Sequence, residues 1–222
     1  MIGNILRLYR ETGVLLTVRS MYNRVVRCMF NYCIGRKLSG AENISIKPNA
    51  IISGLAHISI GKNFIAGDYL KLEAVTRFRD QVFTPRIVIK DNVSINDFIH
   101  IGATNYIEIG NNVLMASKIF ISDHNHGIYR GEPQTHPEIP PAERALTNNQ
   151  QVIIGDNVWL GEFVSILPGT VIGAGAIIGS NSVVSGVIPP ETIAVGAPAK
   201  AVKFFNHETS CWEAVPRETG AP

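Results

Sequence analysis

An aliphatic residue returns at every sixth position through residues 152–188: Ile154, Leu160, Ile166, Ile172, Ile178 and Val184. Four residues after each stands another small or aliphatic one, in turn Val158, Val164, Thr170, Ala176, Ser182 and Ile188. A helix repeats at 3.6 residues and a strand at 2, so neither generates a period of six. Six residues do suffice for a short strand and a tight bend, and three such units close one triangular turn. Stacking the turns pairs each strand with its neighbours about 4.8 Å above and below. Hexapeptide repeats of this kind mark a parallel β-helix. The expected fold is an all-β solenoid whose interior is filled by the sixth-position aliphatics.

The register continues upstream. Ile46 and Ile52 are six apart, and Ile60, Ala66 and Leu72 follow, then Ile89, Ile95 and Ile101, then Ile109, Met115 and Ile121. Breaks fall between 52 and 60, 72 and 89, 101 and 109, and 121 and 154. Grouped in threes from 60, 89, 109, 154 and 172, the anchors put every break between the third side of one coil and the first side of the next. One corner of the prism is therefore expected to carry all the insertions, leaving the other two regular. The solenoid is assigned residues 41–203. Its largest insertion is the loop 122–151, which holds three of the six histidines and four of the twelve prolines. The second largest spans 73–86 and carries three arginines. Long loops in compact repeats are usually functional or disordered.

Hydrophobic residues make up 45% of the chain and charged residues 17%, as in a chain that buries a core. The net charge of +2 gives no reason to expect a nucleic-acid partner. The charge is nevertheless uneven: residues 1–38 hold seven basic residues against Glu11 alone, a net of +6. This stretch reads as helix, with apolar residues recurring at three and four (Ile2, Ile5, Leu6, Leu8, Tyr9, then Val14, Leu15, Val18, Met21, Tyr22, Val25, Val26, Met29, Phe30) and Gly13 dividing two helices. Residues 1–40 form a helical segment with two compatible uses. It can cap the open end of the solenoid, covering unpaired strand edges. It can also lie as a basic amphipathic surface on anionic lipid. Residues 204–222 are expected to be a short tail. Three scattered cysteines, Cys28, Cys33 and Cys211, make neither a disulfide framework nor a zinc knuckle and are expected reduced. The apolar run 13–18 is too short for a secretory leader and is bracketed by arginines. No stretch approaches the ~20 apolar residues of a membrane span. The expected location is cytoplasmic, with the basic start as the route to the inner face of the membrane.

The segment VIIGDNVWLGEFVSILPGTVIGAGAIIGSNSVV, followed by IPPETIAVGAPAKAVK, resembles the hexapeptide-repeat acyltransferases. Within them it is most similar to the O-acetyltransferases of galactoside, maltose, nodulation-factor, capsule and O-antigen type. The resemblance covers residues 89–203 and is strongest over 152–203, where IGDNVWLG and GAPAK carry it. It implies a left-handed parallel β-helix, a homotrimer, and acetyl-CoA as donor.

The resemblance also assigns residues. The family's catalytic histidine lies in the loop after the third strand of the coil before IGDNVW. An ungapped count from Met115 lands on His126, and His124 takes the role if the loop has shifted. An imidazole there would take the proton from an acceptor hydroxyl as that oxygen attacks the thioester carbonyl. Apart from the resemblance, Asp123 beside these histidines is a candidate on the substrate side, as a carboxylate able to orient a ring, the other reading being a surface carboxylate. The acceptor-positioning asparagine of the family matches Asn96 in INDFIHIG, with His100 and Thr104 as further candidates nearby. An acidic residue is common near the Thr104 position in the family, and its absence here leaves the acceptor sugar open. For the donor, a groove between neighbouring prisms matches Gly161, Glu162, Ser180, and Ser185 with Gly186. Lys200 and Lys203 match the basic positions near the coenzyme phosphates. No metal is expected, because His57 and His100 do not share a ligand spacing with His124 or His126. The reading is an acetyl-CoA-dependent O-acetyltransferase acting on a sugar hydroxyl in cell-surface polysaccharide biosynthesis, with a glycan acceptor that is lipid-linked if the basic start binds membrane. The alternatives are an antibiotic acetyltransferase of the same fold and a β-helix scaffold without activity.

Overall fold

A computed structural model describes residues 2–147 and 150–216, with side chains from residue 13 onward. The side chains of the apolar residues at positions 2–9, and positions 217–222 of the expected tail, lie outside what is described.

Three parallel sheets enclose one core, as an all-β solenoid requires. Along the first face Ile60, Ile89, Ile109, Ile154, Ile172 and Ile188 stack in register. Along the second stand Ala66, Ile95, Met115, Leu160, Ile178 and Ala194. Along the third stand Ile52, Leu72, Ile101, Ile121, Ile166 and Val184. All of these except Ile52 are buried. The second interior set, Val158, Val164, Thr170, Ala176, Ser182 and Ile188, is buried with them. Each buried aliphatic side chain contributes on the order of 1.5–3 kcal/mol, so the column of sixth positions holds the prism together.

The bends need left-handed backbone, which asparagine adopts more readily than other non-glycine residues. At the corner joining the first and second faces, Asn43, Asn63, Asn92, Asn112 and Asn157 all have φ between 53° and 59°. Their side-chain amides bond one to the next at 2.7, 2.8, 3.1 and 3.0 Å, so each coil's bend is tied to its neighbour's.

The corner joining the third face to the first carries the insertions. The shorter one folds into a hairpin of Arg77–Phe78 with Gln81–Val82. The longer one is pinned to it. The Gln81 amide donates to the Leu146 carbonyl at 3.1 Å and accepts the Leu146 N–H at 2.7 Å, and Arg79 donates to the Ala142 carbonyl at 3.3 Å. The two loops are therefore tied together at this corner.

Helix α1, Ile2–Gly35, is broken at Gly13, whose φ of 76° and ψ of 175° leave the helical region. Its last turns cover the open end of the solenoid. Phe30 and Ile34 pack on the first coil, and Asn31 Oδ1 accepts the Ile46 N–H at 2.8 Å, satisfying an edge-strand donor. The other end of the solenoid differs from expectation. Residues beyond 203 do not trail off: Ala199–Asn206 runs antiparallel to Thr192–Gly196, and Cys211–Ala214 adds one more strand. The added strands extend the second sheet, and Trp212 packs edge-on against Phe205 at 5.4 Å between ring centres.

Ile172 points inward and its neighbour Val171 is 38% exposed. Ile172→Asp should abolish the folded far-UV circular dichroism signal or remove the protein from the soluble fraction, because it buries an unpaired charge. Val171→Asp should leave the fold intact. Equal tolerance of the two would contradict the register.

Candidate active site

The third face prepares the site. Its strands place one residue outward directly after each interior anchor, so Glu73, Gly102 and Ser122 lie side by side across Lys71–Ala74, His100–Ala103 and Phe120–Ser122. The long loop leaves straight after Ser122, and its first residue turns inward. The Asp123 side chain is fully buried. It accepts the Thr104 N–H at 2.9 Å, the Thr104 hydroxyl at 3.2 Å and the Asn105 N–H at 2.8 Å, all from the preceding coil's corner. A carboxylate fixed by backbone donors of the solenoid is as rigid as the solenoid itself.

The next residue uses that rigidity. His124 Nδ1 lies 2.9 Å from Asp123 Oδ1. A neutral imidazole donating from Nδ1 has an unprotonated Nε2. That nitrogen has no hydrogen-bond partner among the described residues. The ring borders a cleft of about 400 Å³ lined also by Glu73, His100, Phe120 and Ser122. A buried carboxylate beside an oriented imidazole that lines a cleft matches the arrangement of a general base with its orienting group.

His126 lines the same cleft, but its surroundings differ. Its backbone pairs with Leu146, its ring meets Phe78 edge-on at 5.2 Å, and its carbonyl accepts the Tyr129 hydroxyl. No carboxylate among the described residues orients it. Both histidines thus enter the site, and the geometry favours His124, opposite to the ungapped count. The loop turns inward at Asp123, and this brings the carboxylate-oriented imidazole two residues earlier than the ungapped count.

Two expected acceptor ligands are corrected. Thr104 is 1% exposed, with its N–H and hydroxyl committed to Asp123, so it positions the carboxylate and cannot reach a substrate. The Asp123 side chain is fully buried and does not line the cleft, and it contacts His124 Nδ1, whose ring does. Asn96 is exposed at the corner joining the second and third faces, at the opposite end of the third-face strands from the histidine loop, so one protomer does not bring it to His124.

The donor candidates divide in the same way. Gly161, Glu162 and Ser180 stack at Asn96's corner. The Glu162 N–H donates to Ser180 Oγ at 3.2 Å, and a Cβ on Gly161 would stand 2.7 Å from Ser180 N, so only glycine lets these coils meet. Lys200 and Lys203 are exposed on the antiparallel strand that extends the second face. Ser185 and Gly186 instead line a groove of about 690 Å³ beneath the long loop. That groove shares Asn125, Leu167 and Pro168 with the histidine cleft. Bulky Tyr69, Phe98 and Phe163, with Lys118, hold φ near +60° at Asn96's corner. Tyr69 stacks on Phe98 at 4.7 Å and Lys118 Nζ lies 4.7 Å over Phe163. Such residues rarely adopt this conformation, so this corner keeps exposed aromatics at a conformational cost.

Sequence reasoning missed Glu73 and Gly102. The signal was present, since each directly follows a third-face anchor, Leu72 or Ile101. Burial raises the Glu73 carboxyl pKa, but hydrogen bonds from Lys71 and His100 outweigh it, and the net shift is downward.

A family described as bacterial transferase hexapeptide (six repeats) matches residues 151–186. Over 157 residues the chain is 46% identical to an Escherichia coli protein named as the lipopolysaccharide biosynthesis O-acetyl transferase WbbJ, covering 70% of this chain and 76% of that one. It is 27% identical over 170 residues to the galactoside O-acetyltransferase of Escherichia coli, covering 74% and 63%. In fold it is similar to a crystallised mutant of AntD, an N-acyltransferase from Bacillus cereus in complex with dTDP and coenzyme A, with a TM-score of 0.58, 21% identity and coverage of 76% and 84%. The fold is thus the left-handed parallel β-helix that the repeat and the resemblance led us to expect. With that fold, the repeat and these relatives, the chain belongs to the hexapeptide-repeat acyltransferases, as an acetyltransferase.

Proposed function

We propose that this acetyltransferase moves an acetyl group from acetyl-CoA to a hydroxyl of a sugar acceptor in lipopolysaccharide O-antigen biosynthesis, with His124 as general base. The Asp123–His124 pair at the cleft carries the chemical part of this reading. The 46% identity to WbbJ favours a glycan acceptor over an antibiotic. In the reaction the acceptor oxygen attacks the thioester carbonyl while its proton passes to His124 Nε2. The carbon–sulfur bond then breaks, and the coenzyme thiolate leaves with the proton returned from the imidazolium. Asp123 holds the ring in the competent tautomer and stabilises its transient positive charge.

The division of the candidates between two corners supports a homotrimer in which each site is composite. One protomer would supply His124, Ser185 and Gly186, and its neighbour would supply Asn96, Gly161, Glu162 and Ser180. Lys200 and Lys203 would then meet the coenzyme phosphates as point charges. A base contributes typically 10²–10⁴-fold to rate. His124→Ala should therefore lower kcat by that order with the KM for acetyl-CoA nearly unchanged, and it should remove the limb of the pH–rate profile that reports imidazole deprotonation. His126→Ala should cost much less. A His124 variant with normal turnover beside a dead His126 variant would restore the ungapped assignment.

The same reading puts the enzyme at the membrane surface where lipid-linked glycans reside. Val14, Leu15, Val18, Met21, Tyr22, Val25, Met29 and Tyr32 are each 46–81% exposed. At 3.6 residues per turn they fall within an arc of roughly 120°. Arg19, Arg24, Arg27, Arg36 and Lys37 accompany them, and residues 12–41 contain no acid. A second copy of this helix would bring like charge against like charge, whereas anionic lipid accepts both the apolar arc and the arginines. The intact protein should float with vesicles containing phosphatidylglycerol and stay behind with phosphatidylcholine alone. Absence of flotation, together with a change of oligomeric state on deleting residues 1–35, would assign the arc to contact between copies instead.

A further inference from the structure

A second imidazole–carboxylate pair faces His124 across the cleft. Glu73 Oε2 lies 3.1 Å from His100 Nε2 and 2.8 Å from Lys71 Nζ. His100 is further held by Phe120, edge-on at 5.4 Å between ring centres. Between the two histidines the floor is Gly102. A Cβ there would stand 3.6 Å from His124 Cε1 and 3.7 Å from His100 Nε2. Both rings thus approach the space that a side chain at 102 would fill. Gly102 lies in a regular strand and its φ is not positive, so its backbone does not require glycine. The space above it is what the missing side chain provides.

We propose that Glu73, His100 and Gly102 form the acceptor subsite of this same reaction, in which Glu73 accepts a hydrogen bond from a hydroxyl neighbouring the one acetylated. This rests on the transferase reading above and goes beyond it by naming a sugar-recognising group. Three observations lead to it. Glu73 lines the cleft, and its Oε2 is taken by Lys71 and His100, while no hydrogen bond or ion pair engages Oε1 among the described residues. Lys71 and His100 fix the carboxylate in place, and the hydrogen bonds they donate hold it ionised. Finally, a flat floor at Gly102 admits a ring between the base and this carboxylate, within reach of both. A site that hydrogen-bonds a hydroxyl rejects analogues lacking it, because a buried polar group is then left unpaired. The carboxylate also selects by charge, favouring neutral, hydroxyl-bearing sugars over uronic acids.

The test measures coenzyme thiol release from acetyl-CoA with a panel of methyl hexopyranosides and their single-deoxy analogues. It uses the full-length protein and its Glu73→Gln, His100→Ala and Gly102→Ala variants. Glu73→Gln should raise the KM for the best glycoside about tenfold or more, the usual scale for a hydrogen bond to a charged group, and leave the KM for acetyl-CoA unchanged. On the one deoxy analogue lacking the recognised hydroxyl, wild type and Glu73→Gln should be equal. His100→Ala should act in the same direction, and Gly102→Ala should raise the acceptor KM while the melting temperature holds. An unchanged acceptor KM in Glu73→Gln, or an equal loss with every analogue and with the donor, would overturn the subsite alone. Normal turnover of the same glycoside by His124→Ala would overturn the base and leave the subsite to be judged on KM. No glycoside-dependent thiol release by the wild type would overturn both.

Discussion

Everything in this molecule depends on the burial of one aliphatic side chain every sixth residue. Ile109 sits on Ile154 and Ile154 on Ile172, and the same stacking runs along the other two faces. A column of this kind tolerates neither a shifted register nor an insertion along a face, since either would turn an anchor out of the core. Extra chain can only leave at corners. Two corners are already committed, one to the asparagine ladder and one to the tight stacking of Gly161 on Ser180. The third holds both long loops. The folding constraint therefore also decides where chemistry can be added.

The candidate site follows from how the long loop is attached. Asp123 closes the third strand by accepting donors from the preceding coil, which removes a carboxylate from water and satisfies it in the same step. The next residue inherits that fixed point, so the His124 ring is oriented by the solenoid and not by the loop. His126, two residues further on, depends on the loop's own contacts with Phe78 and Leu146. A base must hold its geometry through the reaction, and this is the physical ground for preferring His124. On the other side of Gly102, the Glu73–His100 pair is anchored to strands in the same way.

The fold was legible in detail because a period of six has one structural solution, and because interior positions depend only on spacing. Every anchor from Ile60 to Val184 pairs as the spacing required. The helix and its break at Gly13 were legible for the same local reason. The strands after residue 203 were not, since a short antiparallel extension has no repeat to announce it and gains its stability from Thr192–Gly196. The site was legible in composition and less so in geometry. Counting from Met115 assumes that the loop prolongs the strand, and the inward turn of Asp123 breaks that assumption. Thr104 looked like a substrate ligand because sequence does not show that Asp123 occupies its hydroxyl. Glu73 belongs to a coil two turns away in sequence, brought alongside only by the stacking.

The central claim is that a cleft on one corner works with the neighbouring protomer's opposite corner. Subunit mixing tests it most directly. His124→Ala protomers lack the base, and Lys200→Glu/Lys203→Glu protomers lack the cations expected at the coenzyme phosphates. In a symmetric oligomer formed from an equal mixture, about one quarter of the composite sites would combine an intact base with intact lysines from different chains. Co-refolding the two inactive variants should therefore restore activity to about a quarter of the wild-type value. Mixed oligomers that form but stay inactive would show that each protomer carries its whole site, and would contradict the account.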